Sequence, residues 1–152
     1  MGESGKSGGS ASRPRADLHW IGADNADLLA RIAPGVFDDA IDPRRLVTYL
    51  SNPANWLCVA LVDGLVVGMV MAVVHTHPDK ETELFLDEIG TGDDWRRQGI
   101  ARALIFKLFE RADAEGIEEI WLGTETDNLP ARGLYEGFRH EREDAVIYYL
   151  DW

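Results

Sequence analysis

Cysteine is almost absent from this chain. Cys58 stands alone among 152 residues, so no internal disulfide can form and no thiolate-built metal site can be assembled, a usage that fits a reducing, cytoplasmic compartment. Cys58 lies in the apolar run Trp56 to Val62, where a buried, inert thiol is expected rather than a nucleophile. Long hydrophobic runs are missing too. The longest, Leu65 to Val74, is strand-length and interrupted by Gly68, against the ~20 apolar residues of a bilayer-crossing helix, so no membrane span is expected. Positive charge is scarce: 15 Lys plus Arg face 27 Asp plus Glu, a formal net charge of −12 that repels phosphate backbones and favours cationic partners over nucleic acid. Residues 1–16 are rich in Gly and Ser without an apolar signal-peptide stretch and read as a disordered tail, leaving 17–152 as one domain. Within the tail, Gly5-Lys6-Ser7 imitates the end of a phosphate-binding loop, but no strand precedes it.

The remainder is strongly patterned. Leu18 to Ile21 reads as a short strand, and Asn25 to Ile32 carries Leu28, Leu29 and Ile32 at helical spacing before Pro34-Gly35. Asp42-Pro43 is an N-cap followed by Pro at the first helical position, opening a helix that stops near Asn52-Pro53. Trp56 to Val62 and Leu65 to Val74 flank Asp63-Gly64, a hairpin signal. After a loop from His75 to Thr82, Glu83 to Ile89 reads as a strand. From Gln98 to Glu115, Ile100, Leu104, Leu108 and Ala112 recur every four residues, with Gly116 as the stop. Ile117 to Thr124 reads as a strand, Pro130 to Glu136 as a short helix and Val146 to Leu150 as a last strand. This order makes an α/β domain with a mixed sheet, in which the strands flanking the long helix run parallel through a right-handed crossover.

The chemistry concentrates between Asp87 and Leu104. Gly99 lets the backbone approach a ligand, Ala101 keeps the next turn thin, and a helix start presents unpaired N–H groups with the positive end of its dipole, a natural seat for a diphosphate. Arg96, Arg97 and Arg102 make that helix start positive inside an acidic protein.

This stretch resembles the acyl-CoA-binding signature of the GNAT superfamily of N-acetyltransferases, Gln/Arg-x-x-Gly-x-Gly/Ala, matched here by Arg96-x-x-Gly99-x-Ala101 after a strand and before a long helix. Downstream, Asn128, Ala131 and Leu134-Tyr135 look like the superfamily's Asn-x-x-Ala-x-x-x-Tyr segment. The resemblance implies the GNAT fold: a mixed, mostly antiparallel central sheet with a splayed parallel strand pair and flanking helices. It implies acetyl-CoA as cosubstrate, its pantetheine arm beside Ile89, Gly90 and Thr91 and its pyrophosphate on the backbone of Arg97, Gln98, Gly99, Ile100, Ala101 and Arg102, with Arg96, Asn128, Ala131 and Tyr135 completing the site. One departure stands out: Gly137-Phe138 comes two positions earlier than in the family, where Arg139-His140 stand instead.

Amide formation from a thioester needs a neutral amine, a polarised carbonyl and a proton for the leaving thiolate. Glu88, beside the implied pantetheine segment, is the first choice of base, while strand alternation should turn Asp87 to the opposite side of the sheet. A bulge at Ile89 or Gly90 would aim an N–H at the carbonyl, and the resemblance gives Tyr135 the role of proton donor to sulfur.

The acceptor is read from the carboxylates. Asp38 and Asp39, Asp87 and Glu88, Glu125 and Asp127, and Asp144 come from segments that wall the acceptor pocket in this fold, and a polycationic amine would match them. Glu83 to Ile89, Arg96 to Ile105 and Val36 to Leu50 look like the aminoglycoside 3-N-acetyltransferases of the superfamily, which implies acetylation of the 3-amino group of antibiotics such as gentamicin, and resistance. A polyamine, a protein N-terminus, or a CoA-binding regulatory module without turnover are the alternatives, and a homodimer is the assembly the resemblance suggests. His75 and His77 have no third ligand in an obvious position and read as a solvated loop, so no metal is expected. Trp20, Trp56 and Trp121 are expected in the core.

Overall fold

Asp63 and Gly64 both take positive φ, 49° and 75°, as the two centres of a type I′ turn must. They join β2 (Asn55–Val62) to β3 (Leu65–His75), with Val62 opposite Leu65. The computed structural model describes residues 15–152, so Gly5-Lys6-Ser7 and most of the expected tail lie outside the described residues. Two units are distinguished, Met1–Trp121 and Leu122–Trp152.

In the first unit, β1 (Asp17–Trp20) pairs antiparallel with β2, and β4 (Glu83–Thr91) antiparallel with β3. β5 (Glu119–Trp121) pairs parallel with β4, as expected of the strands flanking the long helix, giving five strands in sequence order. β2 and most of β3 are buried because both faces of the sheet are covered, which is why they read as continuous apolar runs.

One face takes α2 (Ile100–Ala114). Its buried residues are Ile100, Leu104, Ile105, Leu108 and Ala112, the four-residue repeat and its neighbour, and Gly116 stops it at φ 71°. Arg111 of α2 stacks over Trp20 and Trp56 at 4.5 and 4.1 Å. The first turn of α2 is seated on Gly68, where an added Cβ would lie 2.6 Å from Ile100 Cγ2. The other face buries Leu29, Ala33 and Val36 with Leu57, Val59, Leu61 and Met69, and α1 (Pro43–Ser51) packs Leu46, Tyr49 and Leu50 against them. Asp42 caps α1 as expected, Oδ1 accepting from the N–H groups of Arg44 and Arg45 at 2.8 and 3.1 Å.

Several expected elements differ. Asn25 to Ile32 forms only a 3-10 turn, Ala26–Ala30, because the Asn25 side chain ties its start to Gly22 N–H and the Trp20 carbonyl and Pro34 closes it. β4 runs on to Thr91, and β3 includes His75. The strand expected over Ile117 to Thr124 shrinks to three residues, where β4 supplies a ladder. Trp56 is buried, but Trp20 is only half-buried and Trp121 is 44% exposed beside Phe85.

The second unit holds α3 (Leu129–Glu136), capped by Asn128 Oδ1 accepting from Ala131 N–H at 3.2 Å. Val146 to Leu150 is not a strand. All five residues are at least 66% exposed; their β-branched and aromatic side chains suit a pleated surface, but propensity of this kind needs a neighbouring strand to become a ladder. No helix among the described residues is long and apolar enough to cross a membrane.

Candidate functional site

β4 has strands on both sides only at its start. β5 pairs with Glu83, Leu84 and Phe85, and from Leu86 to Thr91 the far edge of β4 has no strand partner among the described residues, which leaves backbone groups there for a ligand. The bulge in β4 falls at Asp87, not at Ile89 or Gly90: Met71 faces Glu88 and Ala72 faces Leu86, with Asp87 as the extra residue, while Glu88 to Thr91 pair in regular register with Met71 to Gly68.

That bulge inverts the alternation. Leu84, Leu86, Ile89 and Thr91 share the α2 face with their partners Val74, Ala72, Val70 and Gly68, and Glu88 and Gly90 move to the α1 face with Met71 and Met69. Gly90 is required there, since an added Cβ would fall on the Val36 carbonyl oxygen. This close approach carries Asp38 to Glu88. Burial first, then the charge and hydrogen bond of Asp38, then the charge of Asp87, hold the Glu88 carboxyl above the usual carboxylate range. Asp87, the extra residue, is exposed, and its charge reaches Tyr49 as well as Glu88: burial and the Asp87 charge push the Tyr49 phenol up to about 12. Tyr49 donates its hydroxyl to the Trp56 carbonyl at 3.1 Å. Asp39 is exposed beside Asp38.

Beyond β4 the chain makes a 3-10 turn, Asp93–Trp95, and enters α2 through two left-handed residues, Arg97 at φ 61° and Gly99 at φ 78°. Gly92 N–H donates to the Val67 carbonyl at 2.8 Å and Asp93 N–H to the Pro34 carbonyl at 2.9 Å, fixing this approach to the sheet. Gly99 is the N-cap and supplies no side chain. The helical ladder begins with Ala103 N–H donating to the Gly99 carbonyl at 3.0 Å, one turn after Gly99. Nothing lies within 4 Å of where a Gly99 Cβ would be, and Arg96, Arg97, Gln98 and Gly99 are exposed. Arg96 bonds Asp93 at 3.1 Å in an exposed pair worth about 0–1 kcal/mol, Gln98 Nε2 donates to the Asp94 carbonyl at 3.5 Å, and the Arg102 guanidinium lies 5.2 Å from the Phe106 ring centroid. A helix start without a side-chain cap, exposed and ringed by arginines, offers the positive end of its dipole to an anion such as a diphosphate.

In the second unit Tyr135 lies on α3, half-buried, with burial raising its phenol. Asn128 spends its side-chain oxygen on the α3 cap. Glu125, Asp127 and Asp144 are exposed, Asp144 in a segment without regular structure. The sequence reading overlooked Tyr49 as a neighbour of the carboxylates, since only the folded α1 brings it there, and overlooked Gly68, whose signal was a lone glycine inside a strand. It also did not bring Glu83 to the histidines. Glu83 Oε2 lies 3.2 Å from His77 Nε2, because β3–β4 pairing sets His75 opposite Glu83.

A mixed sheet whose parallel pair spans three residues leads into a helix start without a side-chain cap, ringed by arginines and open to a phosphate-bearing ligand. The chain belongs to the acetyltransferase (GNAT) family, whose model matches residues 23–138. It is 37% identical to the human (Homo sapiens) N-acetylaspartate synthetase over 94 residues, 60% of this chain and 30% of that protein. The chain spans about a third to two thirds of the length of the curated relatives it matches. Its fold is similar to an aminoglycoside acetyltransferase from an uncultured soil metagenomic sample in complex with sisomicin, at TM-score 0.76, 18% identity and coverage of 90% of this chain and 96% of that one. It is also similar to the aminoglycoside N-acetyltransferase AAC(6')-Iy in complex with CoA, at TM-score 0.72, 18% identity and coverage of 92% and 97%.

Proposed function

We propose that the chain acetylates a primary amine of a polycationic small molecule, an aminoglycoside, at its 3-amino group. The observation that carries this reading is the Glu88–Asp38 pair with Asp87 beside it, three carboxyl groups crowded at the open stretch of β4. Their mutual repulsion is relieved by a bound cation, so an ammonium group gains more here than at a solvated acidic face. A solved neighbour of the same fold carries an aminoglycoside in its complex, which supports the class of acceptor, and the 3-position rests on the subfamily resemblance.

Acetyl-CoA supplies the activated acetyl group. Glu88, with its carboxyl raised, is better matched than an ordinary glutamate to take a proton from the substrate ammonium, directly or through water. The freed nitrogen lone pair forms the C–N bond as the C–S bond breaks, and Tyr135 gives its phenolic proton to the departing thiolate. The α2 start holds the diphosphate, and the free edge of β4 aligns the arm. Cys58 takes no part: it is fully buried, and burial pushes its thiol up to about 12.

Thiol release from acetyl-CoA with gentamicin, spermidine and a basic peptide tests the reading. Turnover with gentamicin, with mass and NMR analysis placing the acetyl group on the 3-amine, is the expected result. Glu88→Gln should lower kcat by ~10²–10⁴-fold and Tyr135→Phe should lower it as well. Turnover with the peptide or spermidine alone would refute the acceptor, and unchanged kcat in both variants would refute the roles.

A further inference from the structure

Among the described residues, one group brings three metal-ligating side chains together: His75, His77 and Glu83, whose donor atoms all lie within 4.8 Å of one another. We propose that these three residues bind a divalent transition metal of the zinc class and clip the end of the β3–β4 hairpin remote from the acetyl-transfer site. The first argument is that the backbone already holds the donors. His75 ends β3 and Glu83 opens β4 as cross-strand partners, and His77 sits before Pro78, which restricts it to extended conformations. The imidazoles lie 4.1 Å apart between centroids, and the His77 and Glu83 side chains are only 15% and 12% exposed.

The second argument is distance. Zinc bonds of about 2.0–2.2 Å to nitrogen and oxygen place tetrahedral ligands roughly 3.3 Å apart. The His77 Nε2 to Glu83 Oε2 separation is 3.2 Å, so one edge of the tetrahedron is present and only His75 must close in. The carboxylate is also divided suitably. Lys80 Nζ holds Oε1 at 3.0 Å while Oε2 faces His77, so a metal can take Oε2 and leave Lys80 as the partner that orients the carboxylate. Two imidazoles and one carboxylate suit zinc, cobalt, nickel or copper rather than magnesium or calcium, and exposed His75 leaves a fourth position for water. Glu83 precedes Glu88 by five residues of strand, about 17 Å at ~3.3 Å per residue, so the ion would brace the central hairpin without touching the reacting atoms.

The test uses the full chain, stripped with a chelator and titrated with zinc chloride by calorimetry, and with cobalt chloride for its visible spectrum. One saturable equivalent of zinc, and intense four-coordinate cobalt bands, are expected. His77→Gln and Glu83→Gln should each weaken zinc uptake at least tenfold, while His140→Gln, which leaves all three donors in place, should keep it. Circular dichroism identifies any variant that fails to fold, and the other ligand variant then decides. No saturable zinc uptake by the unmodified chain, uptake unchanged in a folded ligand variant, or uptake lost in His140→Gln would overturn the proposal. Acetyl transfer is not the readout, so its failure and the failure of the metal site are separate results.

Discussion

The position of the α2 start, the proposed seat of the diphosphate, depends on a hydrogen atom at Gly68. An added Cβ would meet Ile100 Cγ2 at 2.6 Å, Leu104 Cδ1 at 3.2 Å and the Gly90 carbonyl oxygen at 3.4 Å. Carbon atoms rest at about 3.5–4.0 Å, so Gly68→Ala forces the first turn of α2 to retreat by about 1 Å. Gly68 is not among the glycines with positive φ, so the substitution tests packing rather than backbone freedom. Overpacking of this size costs ~1–3 kcal/mol of stability. The retreat also stretches the bonds that Ile100, Ala101 and Arg102 N–H groups would make to phosphate, and losing one charge-assisted bond of ~1.5–3 kcal/mol weakens CoA binding by roughly 10–100-fold. Urea denaturation and calorimetry with CoA measure both effects. Ile100→Ala removes the clashing methyl, so the double variant should bind CoA more tightly than Gly68→Ala alone and be less destabilised than the two single changes summed, by about 1 kcal/mol or more. A Gly68→Ala protein with normal stability and normal CoA affinity would refute the account of how the helix start is placed.

Four further outcomes follow from the same geometry. Asp38→Asn removes a like charge from Glu88 and should move the acid limb of the kcat/KM profile to lower pH; an unmoved limb would mean that Asp38 does not act on the base. The same variant bears on stability: a folded carboxyl held above its unfolded value contributes stability at low pH that is lost as pH rises through the raised pKa, so Asp38→Asn should shrink that loss in denaturation series run from the ordinary glutamate range upward. Gly90→Ala sets a methyl against the Val36 carbonyl, which is backbone and cannot swing aside, so it should cost ~3 kcal/mol or more in urea denaturation, at the upper end for overpacking. Cys58, buried with its thiol near pKa 12, should resist iodoacetamide at pH 8 in the native chain and react on unfolding, as mass spectrometry would show.

The elements that were legible in the sequence are those whose cause is local. Asp42-Pro43 specifies a helix start by an oxygen acceptor and a fixed φ, Asp63-Gly64 a turn by positive φ, and Ile100, Leu104, Leu108 and Ala112 a buried stripe by their spacing; all three stand in the structure. The helix start at Gly99 was legible for the same reason, since orphan N–H groups belong to any uncapped helix. Val146 to Leu150 misled because strand formation depends on a partner that no pattern within the segment can announce. The His75, His77 and Glu83 group was hidden behind a loop whose closure only strand register reveals.

Glu88 shows how much of a side chain's setting depends on strand register. Its position along β4 is fixed by sequence, but it lies on the face of Met71 only because Asp87 is extruded from the ladder. With regular pairing, residues 84, 86 and 88 would share the α2 face, and a carboxylate would be driven beneath the buried Ile100 and Leu104. The extra residue turns Glu88 to the α1 face, keeps Ile89 apolar-side against the helix, and places Asp87 where it acts on Glu88 and Tyr49 together. Removing Asp87 would therefore do more than delete one negative charge: it would exchange the faces of the residues that precede it and those that follow, so the base and the register of β4 stand or fall together.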